Sequence, residues 1–159
     1  MTGVDPLLEA FGAAWTASGA DRFDALCAED VHYEDPLLDE PLTGPGALAA
    51  HADRLLAAFP DARVEATGPR MTGGRHVASP FKVVGHQRGP LGEVPPTDRF
   101  VRVHAVVVAE LHPERDVLWR VRTFLDAYGA GVDLGLLPAR GTHGDKVLRL
   151  LQGFGLRSR

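Results

Sequence analysis

Asp126 closes an apolar stretch, Phe124-Leu125. Partial burial there would raise its carboxyl from the ordinary value of about 3.9 toward that of a working general base. Arg120 and Arg122 alternate onto the same strand face, and a salt bridge to either would push the carboxyl down instead. His104 stands among valines in mid-strand, where an imidazole is either a pocket donor or proton relay, or a hydrogen-bonded core residue. Arg102 shares its face and could bind a carbonyl or anionic oxygen, or form a structural ion pair. Earlier in the chain, Tyr33 and Asp35 share one strand face and Glu34 takes the other. Asp35 reads as a pocket carboxylate or as the shaper of the turn at Pro36. His51 flanks a helical stripe and is placed at the mouth of a cavity or at its boundary. Trp15 and Phe59 read as core or as pocket wall.

The chain has seven histidines, which raises the question of a metal. Only His51, His86 and His104 could converge with a carboxylate, and neither H-x-H nor H-x-x-x-H spacing occurs. No metal and no cofactor is expected. His32, His76, His86, His112 and His143 fall on strand ends and turns, where solvent is the expected surrounding.

The elements that must position these residues follow in an informative order. Asp5-Pro6 starts a helix carrying Leu7, Leu8, Phe11 and Trp15, and Ser18-Gly19 stops it. Asp21 caps a short second helix burying Phe23, Leu26 and Cys27. Residues 31–35 form a short strand ended by Pro36, and a Pro/Gly loop runs to Gly46. A third helix carries Leu48, Ala52, Leu55, Leu56 and Phe59 and ends at Pro60-Asp61. Strands follow over 63–70 and 75–86, joined by Thr72-Gly73-Gly74, then over 97–111 and 117–127. A final helix starts at Thr142, with Asp145 three residues on. Helices first and antiparallel strands after predict an α+β fold, with helices on one strongly curved sheet forming a cone with a pocket. No βαβ alternation and no Gly-rich strand-to-helix loop occurs, which argues against dinucleotide and P-loop functions.

At 159 residues the chain suits a single domain over 1–159, with 139–159 as a C-terminal extension. Its net charge of −4 and the lack of any run of five like charges argue against a nucleic-acid arm or a polybasic membrane patch. No apolar run approaches a membrane span, and the start MTGVDPLLEAF lacks signal-peptide character, so the expected compartment is cytoplasmic. Cys27 is alone, which excludes an internal disulfide. Of the 17 basic residues only Lys82 and Lys146 are lysine, the compositional mark of a GC-rich bacterial genome.

The segment from Gly85 to Arg99, GHQRGPLGEVPPTDR, resembles a signature of SnoaL-like polyketide cyclases, a strand ending in a glycine-rich loop that closes on P-P-T-G-[KR]. Val31–Pro36, Pro41-Leu42-x-Gly44, Phe59-Pro60-Asp61, Leu118-Trp119 and Leu134-Gly135-Leu136-Leu137 agree in order, so the resemblance covers about residues 5–138. Asp98 departs from it, standing where glycine is common. The resemblance implies a nuclear transport factor 2-like fold, a homodimer, and a hydrophobic polyketide-like substrate. It also implies a cofactor-free intramolecular aldol ring closure in which a strand aspartate, here Asp126, is base and then acid. His104 would be the donor to the developing enolate, with Asp35, Tyr33, His51, Arg102, Arg122, Phe124, Trp15 and Phe59 around the substrate. Related isomerases of the fold carry their base near the Tyr33–Asp35 element. A second reading is an epoxide hydrolase of the limonene-epoxide type, which Arg122–Asp126 matches in part. Arg102-Val103-His104 lacks the second carboxylate that chemistry needs, unless protonated His104 substitutes. A third is a non-catalytic small-molecule binder. The surroundings of Asp126 discriminate: an exposed Asp126, or one locked by Arg122 with no cavity beside it, argues against catalysis there.

Overall fold

The structure is a computed structural model that describes residues 4–152. Helix α1 (Val4–Ala14) buries Leu7, Leu8, Phe11 and Ala14 on one face, the i, i+3, i+4 stripe that its sequence predicts. Beyond it, residues 20–26 form turns, not the expected short helix. The amides of Leu26 and Cys27 both close on the Phe23 carbonyl, and the chain then enters β1 (Cys27–Glu34). Arg22 holds this compact turn: its guanidinium donates to the carbonyls of Ala14, Gly19 and Ala49 and to Asp53. A continuing helix would have to give up those bonds.

Strand β2 (Leu42–Thr43) leads through Gly44, at φ 88°, into α2 (Pro45–Ala58). Proline fits this first turn because its missing N–H has no partner there to lose. Helix α2 buries Leu48, Ala49, His51, Ala52 and Ala58 against the sheet. The predicted strand over 63–70 is split into β3 (Arg63–Ala66) and β4 (Met71–Gly73), with Gly68-Pro69 between them. The turn to β5 (His76–His86) falls at Gly74-Arg75, slightly later than expected. Strands β6 (Phe100–Leu111) and β7 (Leu118–Leu125) follow, then α3 (Ala127–Asp133), which the glycines of the sequence had concealed. Thr142 caps α4 (His143–Leu151) by accepting from the Asp145 N–H, as expected. The rest of the predicted extension, 153–159, lies outside the described residues.

The strands form a single sheet in the order β2-β1-β7-β6-β5-β3, with β4 on β5. Its β1–β7 pair is parallel and its other pairs are antiparallel. The sheet is curved and unclosed, and the fold is the α+β arrangement the element order predicts. Alternation along β6 sorts its side chains. Val101, Ala105, Val107 and Ala109 are buried toward the helices, whereas Arg102, His104 and Val108 face outward and are exposed. Phe23, Val31, Leu48, Leu118 and Val121 complete the core.

The segment that carries the family resemblance is a self-bonded loop. Gln87 is wholly buried; its amide nitrogen donates to the Gly89 and Pro95 carbonyls, and its oxygen accepts from the Thr97 amide and hydroxyl. Gly89 lies so close to the Ala57 carbonyl on α2 that a Cβ would collide with it. Asp98 has φ 55°, a left-handed conformation that accounts for glycine being common there.

Candidate functional site

Asp35 carries a carboxylate into the interior of the fold, beside the core of the inner sheet face. Strand β1 ends at Glu34, and Pro36 stops the ladder, so Asp35 leaves the sheet while Tyr33 still points inward. The Asp35 side chain is only 3% exposed. Its Oδ1 accepts the Leu37 amide at 2.7 Å, while Oδ2 accepts the Tyr33 hydroxyl at 3.0 Å and His51 Nε2 at 2.9 Å. Asp35 therefore both shapes the turn and enters the interior, the two roles its sequence left open. His51 reaches it from the buried stripe of α2. Arg54, one turn further on, places Nη2 3.3 Å from His51 Nδ1.

The Trp15 ring covers this cluster, 5.2 Å from the Tyr33 ring and 5.9 Å from that of His51. Thr123, on the inner face of β7, sits 3.3 Å from the Tyr33 hydroxyl. Thr123 could have been found by period-two counting, since it shares its strand face with buried Val121. Sheet register sets Leu125, Ala105 and Phe81 in a row beyond Thr123, and Val103 opposite Val83 beyond that. Leu125, Phe81, Val103 and Val83 are half-buried, a row of apolar side chains on the inner sheet face beyond Thr123. Phe59 is half-buried at the C-terminal end of α2.

Burial pushes the Asp35 carboxyl up, but the hydrogen bonds from His51 and Leu37, the charge His51 carries when protonated and the Tyr33 bond together outweigh it and hold the group below the usual aspartate range. It is a carboxylate at neutral pH. Three of its roughly four acceptor positions are used, which leaves one on Oδ1 for an incoming proton. Burial first, then the charge of Asp35, drives the Tyr33 phenol far above its ordinary value, so it stays a donor.

The structure thus gathers Tyr33, Asp35, His51 and Trp15, and leaves the other sequence candidates elsewhere. Asp126 is exposed and is the N-cap of α3, its Oδ1 accepting the Gly129 amide at 2.9 Å. It is not beside a buried strand end, because the chain turns into a helix there. The alternative reading, an ion pair of Asp126 with Arg120 or Arg122, is not formed either; Arg122 forks onto Glu34 at 2.9 and 2.7 Å on the outer sheet face. That arginine, in turn, holds the Glu34 carboxyl low. His104 and Arg102 also face outward, because the apolar side of β6 is the one taken by the core. Asp126 and His104 do share a shallow concavity of 380 Å³ with Thr67, Pro80, Val106 and Phe124 among its lining, and alternation turns His104, Val106 and Phe124 to the sheet face opposite Thr123. A larger outer groove of 570 Å³ is lined by Glu34, Val108, Glu110, Trp119, Arg120, Arg122 and Phe124, among others. Among the described residues no group of three His, Cys, Asp or Glu side chains could hold a metal ion, and no helix is long and apolar enough to cross a membrane.

Comparison with known proteins places these features in a wider set. The SnoaL-like domain matches residues 8–120. No curated protein is matched. Among solved structures, IdmH of Streptomyces antibioticus, whose polyketide cyclase assignment is provisional, is 17% identical. It superposes with a TM-score of 0.70 over 82% of this chain and 97% of that one. A protein with a ketosteroid isomerase-like fold from Catenulispora acidiphila, solved with trimethylamine, is 20% identical at TM-score 0.69, covering 86% and 96% of the two chains. An NTF2-like protein of Burkholderia xenovorans is 17% identical at TM-score 0.61, covering 82% and 94%. At these identities the likeness is one of fold.

Proposed function

This chain belongs to the SnoaL-like domain family, and from that premise we propose that it is a cofactor-free acid–base enzyme of the cyclase or isomerase type, with Asp35 as its base. The observation that carries the proposal is the ionised Asp35 carboxylate, buried with one free acceptor position on the inner side of the sheet. A base held below the ordinary aspartate range removes a proton only from an acidified carbon. A methylene flanked by two carbonyls, as in a poly-β-ketone chain, meets that condition, and the half-buried apolar row of the inner sheet face suits its hydrocarbon parts.

In the proposed step Asp35 takes the proton from that carbon, and the C–H electron pair becomes an enolate. The enolate carbon attacks a second carbonyl of the same molecule, forming the ring bond. The carbonyl π pair becomes an alkoxide, which takes the proton back from Asp35. His51 and Tyr33 orient the carboxylate through their bonds to Oδ2, and Thr123, against the Tyr33 hydroxyl, holds the phenol in place. In this account Asp126 works as a helix cap.

The test supplies an acyclic aryl poly-β-ketone ester with a chelator and no added cofactor. The expected product is an isomer of the substrate, or that isomer less water. Conversion no faster than in buffer would contradict the reading.

The proposed assembly is a homodimer in which a second copy covers the outer sheet face. Supporting this, Phe124 is 52% exposed there. The carboxylates of Asp30, Glu34 and Glu110 are matched by Arg75, Arg120 and Arg122, so two chains of net charge −4 would meet there with little repulsion.

A further inference from the structure

We propose that Arg54 fixes the ring proton of His51 on Nε2 and denies the ring a second one, so that Asp35 faces a neutral imidazole. Arg54 Nη2 lies 3.3 Å from His51 Nδ1, and His51 Nε2 lies 2.9 Å from Asp35 Oδ2. A guanidinium has donors and no acceptor, so Nδ1 must offer its lone pair. An ionised carboxylate only accepts, so Nε2 must carry the proton. The other neutral tautomer would set N–H against N–H at Arg54 and lone pair against lone pair at Asp35. An imidazolium would lose the Arg54 bond and bring two cations together at that contact.

The titratable and charged groups that face the ring are Asp35 and Tyr33 from β1 and Arg54 from its own helix; α1 presents the Trp15 ring. Asp35 alone would favour an imidazolium. Arg54 is what opposes it. An imidazolium paired to Asp35 would hold the carboxylate electrons more tightly and make it a poorer base. Arg54 is thus a positioning residue that acts through His51. This consequence for catalysis rests on Asp35 being the base; the tautomer does not.

The experiment uses the full chain with 15N-labelled histidine and long-range 1H–15N correlation, with His51→Gln to identify the His51 signals. Contacts of the ring with Trp15 identify them independently if that variant does not fold. In the parent chain His51 should be protonated on Nε2 and bare on Nδ1 at about pH 7. Arg54→Met should give, at the same pH, a ring with its proton on Nδ1 or on both nitrogens, and Arg54→Lys, which keeps a donor-only cation, should restore the parent pattern. A parent ring protonated on Nδ1 or on both nitrogens at about pH 7 would overturn the proposal. So would an Arg54→Met ring with the parent's protonation pattern. In an activity assay at about pH 7, Arg54→Met should lose roughly tenfold in kcat/KM relative to the parent. The expected tautomer in a chain without turnover would uphold Arg54's role and count against the functional reading alone.

Discussion

Asp35 holds its charge inside the fold, and that has consequences for stability as well as for chemistry. Its folded carboxyl lies below the ordinary value of about 3.9. It therefore adds stability that is present above that unfolded value and is lost as pH falls through the folded one. Acid titration followed by chemical denaturation should show a steeper loss of stability for the parent chain than for Asp35→Asn. Parallel curves would mean that the carboxylate is not held as described. Cys27 gives a second residue-level prediction. Burial, then the charge of Asp24, pushes its thiol up to about 12. A thiol reagent at about pH 8 should label the native chain slowly and the urea-unfolded chain rapidly; fast native labelling would contradict the packing around the start of β1.

At the scale of elements, two caps decide where the chain turns. Asp126 satisfies the first turn of α3 through the Gly129 amide. Asp126→Ala should destabilise the chain by about 1 kcal/mol, read by denaturant unfolding, and should leave catalysis in place. A large loss of turnover with little loss of stability would return Asp126 to the chemistry. The loop built on Gln87 depends on close approach. Gly89→Ala, which drives a Cβ into the Ala57 carbonyl, should cost roughly 1–3 kcal/mol, again read by denaturant unfolding.

These elements also explain what the sequence made legible. The alternation of Val101, Ala105 and Val107 with Arg102 and His104 identifies β6 and, taken as a burial signal, its inner face. The same alternation puts His104 on the outer face with Arg102. Period two needs only local spacing, which is enough to set Tyr33 and Asp35 on one face. The His51–Asp35 bond spans 16 positions and needs the packing of α2 on β1, which no local pattern contains. Helix α3 was hidden because Gly129 and Gly131 read as loop, yet Gly131 is small because the Leu137 side chain lies against it. Arg22 was unremarkable as a charge on a turn, and only the fold brings three carbonyls to it.

For the whole molecule, the proposal of a second copy on the outer sheet face predicts a dimer by sedimentation. Phe124→Asp, on that exposed face, should shift the chain to monomer with its circular dichroism unchanged; a parent chain that sediments as a monomer would contradict the assembly.

The central claim is that the proton of a carbon acid goes to Asp35. It is tested most directly by the exchange of the methylene protons of an aryl 1,3-diketone in D2O, followed by 1H NMR with the parent chain, Asp35→Asn and Asp126→Asn. The account predicts catalysed exchange by the parent and by Asp126→Asn, and a loss of roughly 10²–10⁴-fold for Asp35→Asn. Exchange that survives in Asp35→Asn, or that vanishes in Asp126→Asn, would contradict it.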